Sequence, residues 1–246
     1  MDGSFTGSRW RRSAPALDAD APRHVGIIMD GNRRWARARG RMPSFGHDVG
    51  ANHLADVLGW LRVRGVEHVS VYVLSADNIR KRSTGEIHHL FGLIETVLSK
   101  AVERAHDWQL HVSGDTRLLP APARGALAQV VQETRGRPCH LTLAIGYSPH
   151  EDIATGIRAA LHQGIDPASA EFIGAVSGNL PGGPVKEIDL VIRTGNEQRT
   201  SGFFPWQSIH SEIVRSRKMW PAFNEADLDR VLAEYRRRRI RAHSEG

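Results

Sequence analysis

Short apolar runs alternate with longer stretches of helical spacing along almost the whole chain, and this alternation predicts an α/β fold. The runs at 25–29, 68–74, 110–112, 140–145 and 188–192 have the length of buried strands, and a weaker sixth falls at 213–216. Between them, residues 48–64, 85–108, 120–134 and 150–162 repeat apolar positions at helical intervals, as does a last stretch at 225–239. Strands separated by helices pair in parallel through crossovers. The expected architecture is therefore a single α/β domain, a mainly parallel six-stranded sheet flanked by helices, spanning residues 24–240. A flexible polar arm at 1–23 would precede it and a short tail at 241–246 would follow.

Two of the predicted helices have a broad apolar face: Leu54, Val57, Leu58 and Leu61 on one, and Ile87, Leu90, Phe91, Ile94 and Val97 on the other. Core packing is the ordinary use of such a face. Set apart on one side of the sheet, the same helices would enclose an apolar tunnel.

Ligands of open α/β sheets bind beyond the carboxyl ends of the strands, so the residues following each run carry the chemistry. The first run delivers a lone acid, Asp30, into a Gly31-Asn32 turn followed by Arg33, Arg34, Arg37 and Arg39. An acid at a strand end among arginines suits magnesium together with phosphate. The fifth run opens into Arg193, Arg199 and Ser201, forked donors and a hydroxyl for a second anion. A plain surface loop with one arginine paired to Glu197 is the competing expectation. Two basic loops at one rim imply two phosphorylated ligands side by side.

Composition adds limits. The chain has 33 Lys and Arg against 27 Asp and Glu, a net charge of +6. The excess gathers in RWRR near the start and RRRRIRAH near the end, where a peripheral membrane contact is available. No aromatic stacking platform or groove-reading motif accompanies this charge, which argues against nucleic acid as a partner. Cys139 is the sole cysteine and lies in an apolar run, so no intramolecular disulfide can form. No apolar stretch has membrane-spanning length, and residues 1–23 lack the apolar segment of a signal peptide. A cytoplasmic protein is expected.

The segments HVGIIMDGNRRWARARG, Gly46-His47, YVLSADN and DLVIRTGNEQRTSGFFPWQ, with SE and WPAF following, resemble in order the cis-prenyltransferases, the undecaprenyl diphosphate synthase-like isoprenyl transferases. DGNRRWAR, YVLSADN and EQRTSGF are most similar to the members that make short Z,E-farnesyl diphosphate. The resemblance implies a homodimeric, magnesium-dependent enzyme that condenses isopentenyl diphosphate with an allylic diphosphate. It assigns Asp30 to magnesium, and Gly31, Asn32, Arg33, Arg34, Trp35 and His47 to the allylic diphosphate. Ser75 and Asn78 would orient the reacting ends, Asp77 and Lys81 would add substrate contacts, and Asp30 and Asn78 would be the catalytic residues. Arg193, Arg199 and Ser201 would hold isopentenyl diphosphate, and Glu212 would add a metal contact from the partner subunit. Val73 and Phe91 would limit chain length. Ser148 and His150 stand where the family often has glycine and arginine, and with the basic VRSRK segment they permit an alternative enzyme that cyclises or branches one allylic diphosphate. A non-catalytic subunit is a further alternative, against which the retained Asp30, Arg34, Arg193, Arg199 and Glu212 speak.

Overall fold

The six apolar runs become six strands in a computed structural model, which describes residues 21–244. They are β1 (His24–Ile28), β2 (His68–Ser75), β3 (Trp108–Ser113), β4 (Cys139–Tyr147), β5 (Leu190–Arg193) and β6 (Glu212–Arg215). The sheet has the order β3-β4-β2-β1-β5-β6, and every pairing is parallel. The weak sixth run therefore forms a true edge strand. Residues 1–20 of the expected arm lie outside the described residues.

The long helical stretches appear as α2 (Pro43–Val63), α6 (Ala121–Glu133), α7 (Pro149–His162) and α9 (Glu225–Ser244). Proline at the first turn sets the starts of α2, α6 and α7, because its missing N–H is not needed there. The expected continuous helix over 85–108 is divided into α4 (Thr84–Leu93), a π-helical turn Ile94–Leu98 and α5 (Ser99–Arg104), and Trp108 already belongs to β3. Three short helices were not predicted: α1 (Asn32–Arg37), α3 (Ala76–Lys81) and α8 (Phe172–Gly178). Each has only six or seven residues, too few to display a period, and such helices persist through tertiary contacts rather than propensity. The residues expected as a tail continue α9 as far as Ser244.

Alternation along the strands sorts side chains into two cores. Val25, Ile27, Val69 and Val71 join Leu54, Leu58 and Leu61 of α2 in the larger one. Ile28, Ala144, Tyr147, Val191, Phe203 and Phe204 form a smaller one on the opposite face. Gly26 is needed there, since a Cβ would lie 2.6 Å from the Phe203 ring. Among the described residues, no helix is long and apolar enough to cross a membrane.

Candidate active site

The topology itself selects a position. From β1 the chain crosses to β2 on one side, while β5 leads to β6 on the other, so the carboxyl ends of β1 and β5 flank a crevice at the point where the strand order reverses. Asp30 follows β1 and Arg193 ends β5, and their side chains meet there with Arg193 Nη2 3.2 Å from Asp30 Oδ2. Arg34, one turn into α1, reaches Asp30 Oδ1 at 3.2 Å. The acid is thus clamped between the two basic loops predicted to face each other.

Thr194 and Trp220 fix the backbone of Asp30. Its N–H donates to Thr194 Oγ1 at 3.0 Å, and that hydroxyl donates to the Asp30 carbonyl at 2.8 Å. Trp220 N–H donates to the same carbonyl at 2.9 Å. Gly31 makes the turn possible: its φ is +106°, and a Cβ would stand 2.7 Å from Met219 Cβ. Gly195 plays the matching part in the second loop, where a Cβ would lie 2.6 Å from Arg34 Nη2.

Arg193 is 6% exposed, an unusual burial for a cation, and its fork is nearly consumed. Nη1 donates to Ser201 Oγ at 3.1 Å and to the Arg199 carbonyl, while its buried Nε has no hydrogen-bond partner among the described residues. Arg199 itself extends into solvent, 3.4 Å from Glu197 Oε2, the pairing anticipated for a plain surface loop. Its backbone still anchors Arg193, and both arginines line the same space.

That space is a cleft of about 750 Å³ bordered by Asp30, Arg33, Ser75, Asn78, Arg193, Arg199 and Ser201. Ser75 caps α3 by accepting the Asn78 N–H at 3.0 Å, which sets both residues at the cleft edge. Asp77 and Lys81 also border it, but they pair with each other at 2.8 Å, and Arg80 is 2.8 Å from the same carboxylate. Hydrogen bonds from Arg80 and Lys81 hold the Asp77 pKa down at about 2. Ser148 and His150 form part of the opposite wall.

A second, narrow cavity of about 100 Å³ lies against the sheet between α2 and α4, lined by Ala51, Leu54, Val73, Leu90, Leu93 and Ile94 among others. It shares Met29, Tyr72, Val73, Leu74 and Arg82 with the cleft, so the two spaces adjoin. Val73 is set by an irregularity: the β2–β4 register slips between Tyr72 and Leu74, and such bulges re-aim side chains. Phe91, expected beside Val73, belongs instead to the larger core and is absent from the lining. Leu90, Leu93 and Ile94 take the place expected of it, because the helix turns a different edge toward the cavity.

Asn32 and His47 stand at the polar end of this cavity, and Asn32 Oδ1 and His47 Nε2 are buried without a hydrogen-bond partner among the described residues. Burial, with the nearby Arg82 charge, lowers the His47 pKa to about 4 against the opposing pull of Glu86, whose carboxylate lies 3.6 Å from Nε2. Arg33 and Arg82 converge on Glu86 at 3.8 and 2.6 Å. Trp35 lines neither space; it stacks on Phe45 with ring centroids 5.9 Å apart.

Glu212 is paired in register with Leu190, whereas Arg215 is paired with Arg193 at the rim. Three residues of strand, about 10 Å, therefore separate it from the carboxyl end of the sheet. There it pairs with Arg238 at 3.2 Å. No cluster of three or more metal-ligating side chains exists among the described residues. Magnesium does not require one, since it commonly binds through one or two carboxylates, waters and substrate phosphates. A lone Asp30 on an open cleft fits that mode.

Three residues at the site were missed in the sequence. Tyr72 and Arg82 line both spaces, and Thr194 fixes Asp30. Thr194 could have been found from its place between Arg193 and Gly195. Arg82 was hidden behind Lys81, and only the end of α3 decides which of them turns inward.

Comparison with known proteins accords with this arrangement. Residues 28–243 match the prenyltransferase family model described as "Putative undecaprenyl diphosphate synthase". An isoprenyl transferase of Streptomyces fradiae is 37% identical, over 95% of this chain and 94% of that protein. A (2Z,6E)-farnesyl diphosphate synthase of Mycobacterium tuberculosis is 35% identical, over 92% and 90%. The crystal structure of lavandulyl diphosphate synthase from Lavandula x intermedia, in complex with dimethylallyl diphosphate, superimposes with a TM-score of 0.81 at 30% identity, covering 89% of this chain and 97% of that one. With the family model matched over residues 28–243 and a relative 37% identical over nearly the whole of both chains, this chain belongs to the undecaprenyl diphosphate synthase-like family of prenyltransferases.

Proposed function

We propose that this chain is a cytoplasmic, short-chain Z-prenyl diphosphate synthase. It condenses isopentenyl diphosphate with a short allylic diphosphate, dimethylallyl, geranyl or farnesyl, and releases diphosphate. One observation carries the reading: a single cleft brings two arginine-bearing loops to opposite sides of Asp30 and adjoins a small apolar cavity. The family and the 35% identity to a (2Z,6E)-farnesyl diphosphate synthase support it.

In this reading Asn32, Arg33 and Arg34 hold the allylic diphosphate with its tail in the apolar cavity, while Arg193, Arg199 and Ser201 hold isopentenyl diphosphate. The isopentenyl double bond attacks C1 of the primer as the C1–O bond breaks and its electron pair passes to the departing diphosphate. Loss of a proton from the adjacent carbon of the isopentenyl unit then sets the Z double bond. Asp30 or a diphosphate oxygen receives that proton, for which a weak base is enough. Negative charge grows on the leaving group, so fixed guanidiniums favour the transition state over the ground state. Magnesium bound through Asp30 would supply further charge neutralisation at the diphosphates.

A cavity of about 100 Å³ favours a short product. An engineered 150 Å³ cavity accommodates benzene, so this one holds roughly one isoprene unit beyond the cleft without rearrangement. Glu212, on an edge strand and away from its own Asp30, would reach a metal site only across a homodimer.

Incubation with magnesium, each allylic primer and labelled isopentenyl diphosphate, followed by chromatography and mass spectrometry, tests the proposal. Label in a Z-configured short prenyl diphosphate is the expected result. Ser148 and His150 in the cleft wall favour a second reading, cyclisation or branching of an allylic diphosphate alone. A product formed without isopentenyl diphosphate would establish that one instead.

A further inference from the structure

The hairpin formed by α1, the turn at 38–42 and the start of α2 carries a surface that catalysis does not use. From Gly31 to His47 the sequence contains Arg33, Arg34, Arg37, Arg39 and Arg41 and no acid. Arg33 and Arg34 turn inward to Glu86 and Asp30. Arg37, Arg39 and Arg41 are exposed on the turn. Among them two large apolar side chains face solvent, Met42 at 73% and Phe45 at 40% exposure.

The placement of Met42 is costly by ordinary rules. It is the N-cap of α2, a position that favours Ser, Thr, Asp or Asn, and it provides no side-chain cap. Phe45 lies one turn later, stacked on Trp35, with the Arg41 guanidinium 5.6 Å from the Phe45 ring centroid and that of Arg39 4.1 Å from the Trp35 ring centroid. The guanidiniums thus stand around an apolar tip, the arrangement of side chains that enter the headgroup boundary of a bilayer while their charges stay among phosphates. Gly40, at φ +64°, makes the turn, and nothing lies within 4 Å of where its Cβ would be.

We infer that this hairpin docks the enzyme on an anionic lipid surface, with Met42 and Phe45 inserted and Arg37, Arg39 and Arg41 on lipid phosphates. Charge complementarity selects the bilayer: a segment with no acid and several exposed arginines is attracted to anionic headgroups. Continuity with the site gives the contact a use. Asn32 from α1 and His47 from α2 line the apolar cavity, so the docking surface and the ligand's tail space share one hairpin. An amphiphilic diphosphate would enter or leave beside the membrane.

Co-sedimentation of the full chain with phosphatidylcholine vesicles, with and without phosphatidylglycerol, tests this at low ionic strength. Binding is expected only to the anionic vesicles, weakening with salt. Met42→Ser should lower partitioning at least fivefold, with a melting temperature equal to or above that of the wild type because serine can cap α2, and with unchanged turnover of dimethylallyl diphosphate in solution. Arg39→Gln and Arg41→Gln should each lower it about fivefold, the value of one basic residue at such a surface. Asp30→Asn should bind vesicles like the wild type, which separates this inference from the catalytic reading. Failure to bind anionic vesicles would overturn it. So would binding that survives Met42→Ser but is lost on deleting residues 1–20 or on Arg237→Gln/Arg241→Gln in α9. Self-association abolished by Met42→Ser, without vesicle binding, would assign the patch to a second copy instead.

Discussion

The two ends of the same sheet use polar residues in opposite ways. At the carboxyl rim, Arg34 and Arg193 are both ion-paired with Asp30, and Asp30 and Arg193 border a large cleft. At the amino end, His24, His68 and His140 lie side by side on neighbouring strands, with His111 Nε2 3.0 Å from His140 Nδ1. Here burial wins. It lowers His24 to about 3 and His68 and His111 to about 4, with neighbouring histidines reinforcing the effect. His24 is satisfied by Ser70 Oγ and the Glu187 carbonyl, both at 2.9 Å. A cluster of titratable side chains thus borders an open cleft at one end and forms a packing layer at the other. The cleft, rather than the residue types, makes the difference.

Asp30→Asn should lower turnover by about 10²–10³-fold, as for loss of a preorganised electrostatic group, while the melting temperature holds. Near-native turnover in a folded variant would remove Asp30 from the chemistry. Arg193→Lys keeps the charge but loses the fork that joins Asp30 to Ser201. A 10- to 100-fold fall in kcat/KM is expected, about the value of one charge-assisted hydrogen bond. Val73→Ala should lengthen the product by one or more isoprene units, read by mass spectrometry, and an unchanged length would remove Val73 from the cavity floor.

The amino end should instead respond to acid through stability. A histidine held below its unfolded pKa of 6.5 is neutral in the folded chain, so its contribution is complete above 6.5 and is lost as pH falls toward the folded value. Between pH 7.5 and 5.5, His24 alone should remove about 1 kcal/mol, measurable by denaturant titration and diminished in His24→Gln. Smallest of all, Lys81→Ala should change kcat/KM only two- to threefold, since its ammonium is already engaged by Asp77, and Arg82→Ala should exceed it.

Much of this was legible in the sequence because strand-length apolar runs and the turns after them are local signals. The six strands, the exit of Asp30 from β1 and the meeting of two arginine loops all follow from period and position. The unread parts depend on distant packing. Whether Arg199 or Arg193 faces Asp30 is decided by a buried fork, not by spacing. Phe91 and Leu90 are adjacent on one apolar face, and only the seating of α4 against the sheet decides which lines the cavity. Glu212 looks close to Ser201 in sequence, but the chain returns to the amino end of the sheet to begin β6.

If one rim holds two diphosphates about Asp30, calorimetry can count them. Titration of the magnesium-loaded protein with isopentenyl diphosphate and an unreactive thio-analogue of the allylic diphosphate should reveal two separate sites per chain. Arg199→Ala/Ser201→Ala should weaken the first ligand and Arg34→Ala the second. A single site for which both ligands compete, or one weakened equally by either variant, would contradict the account.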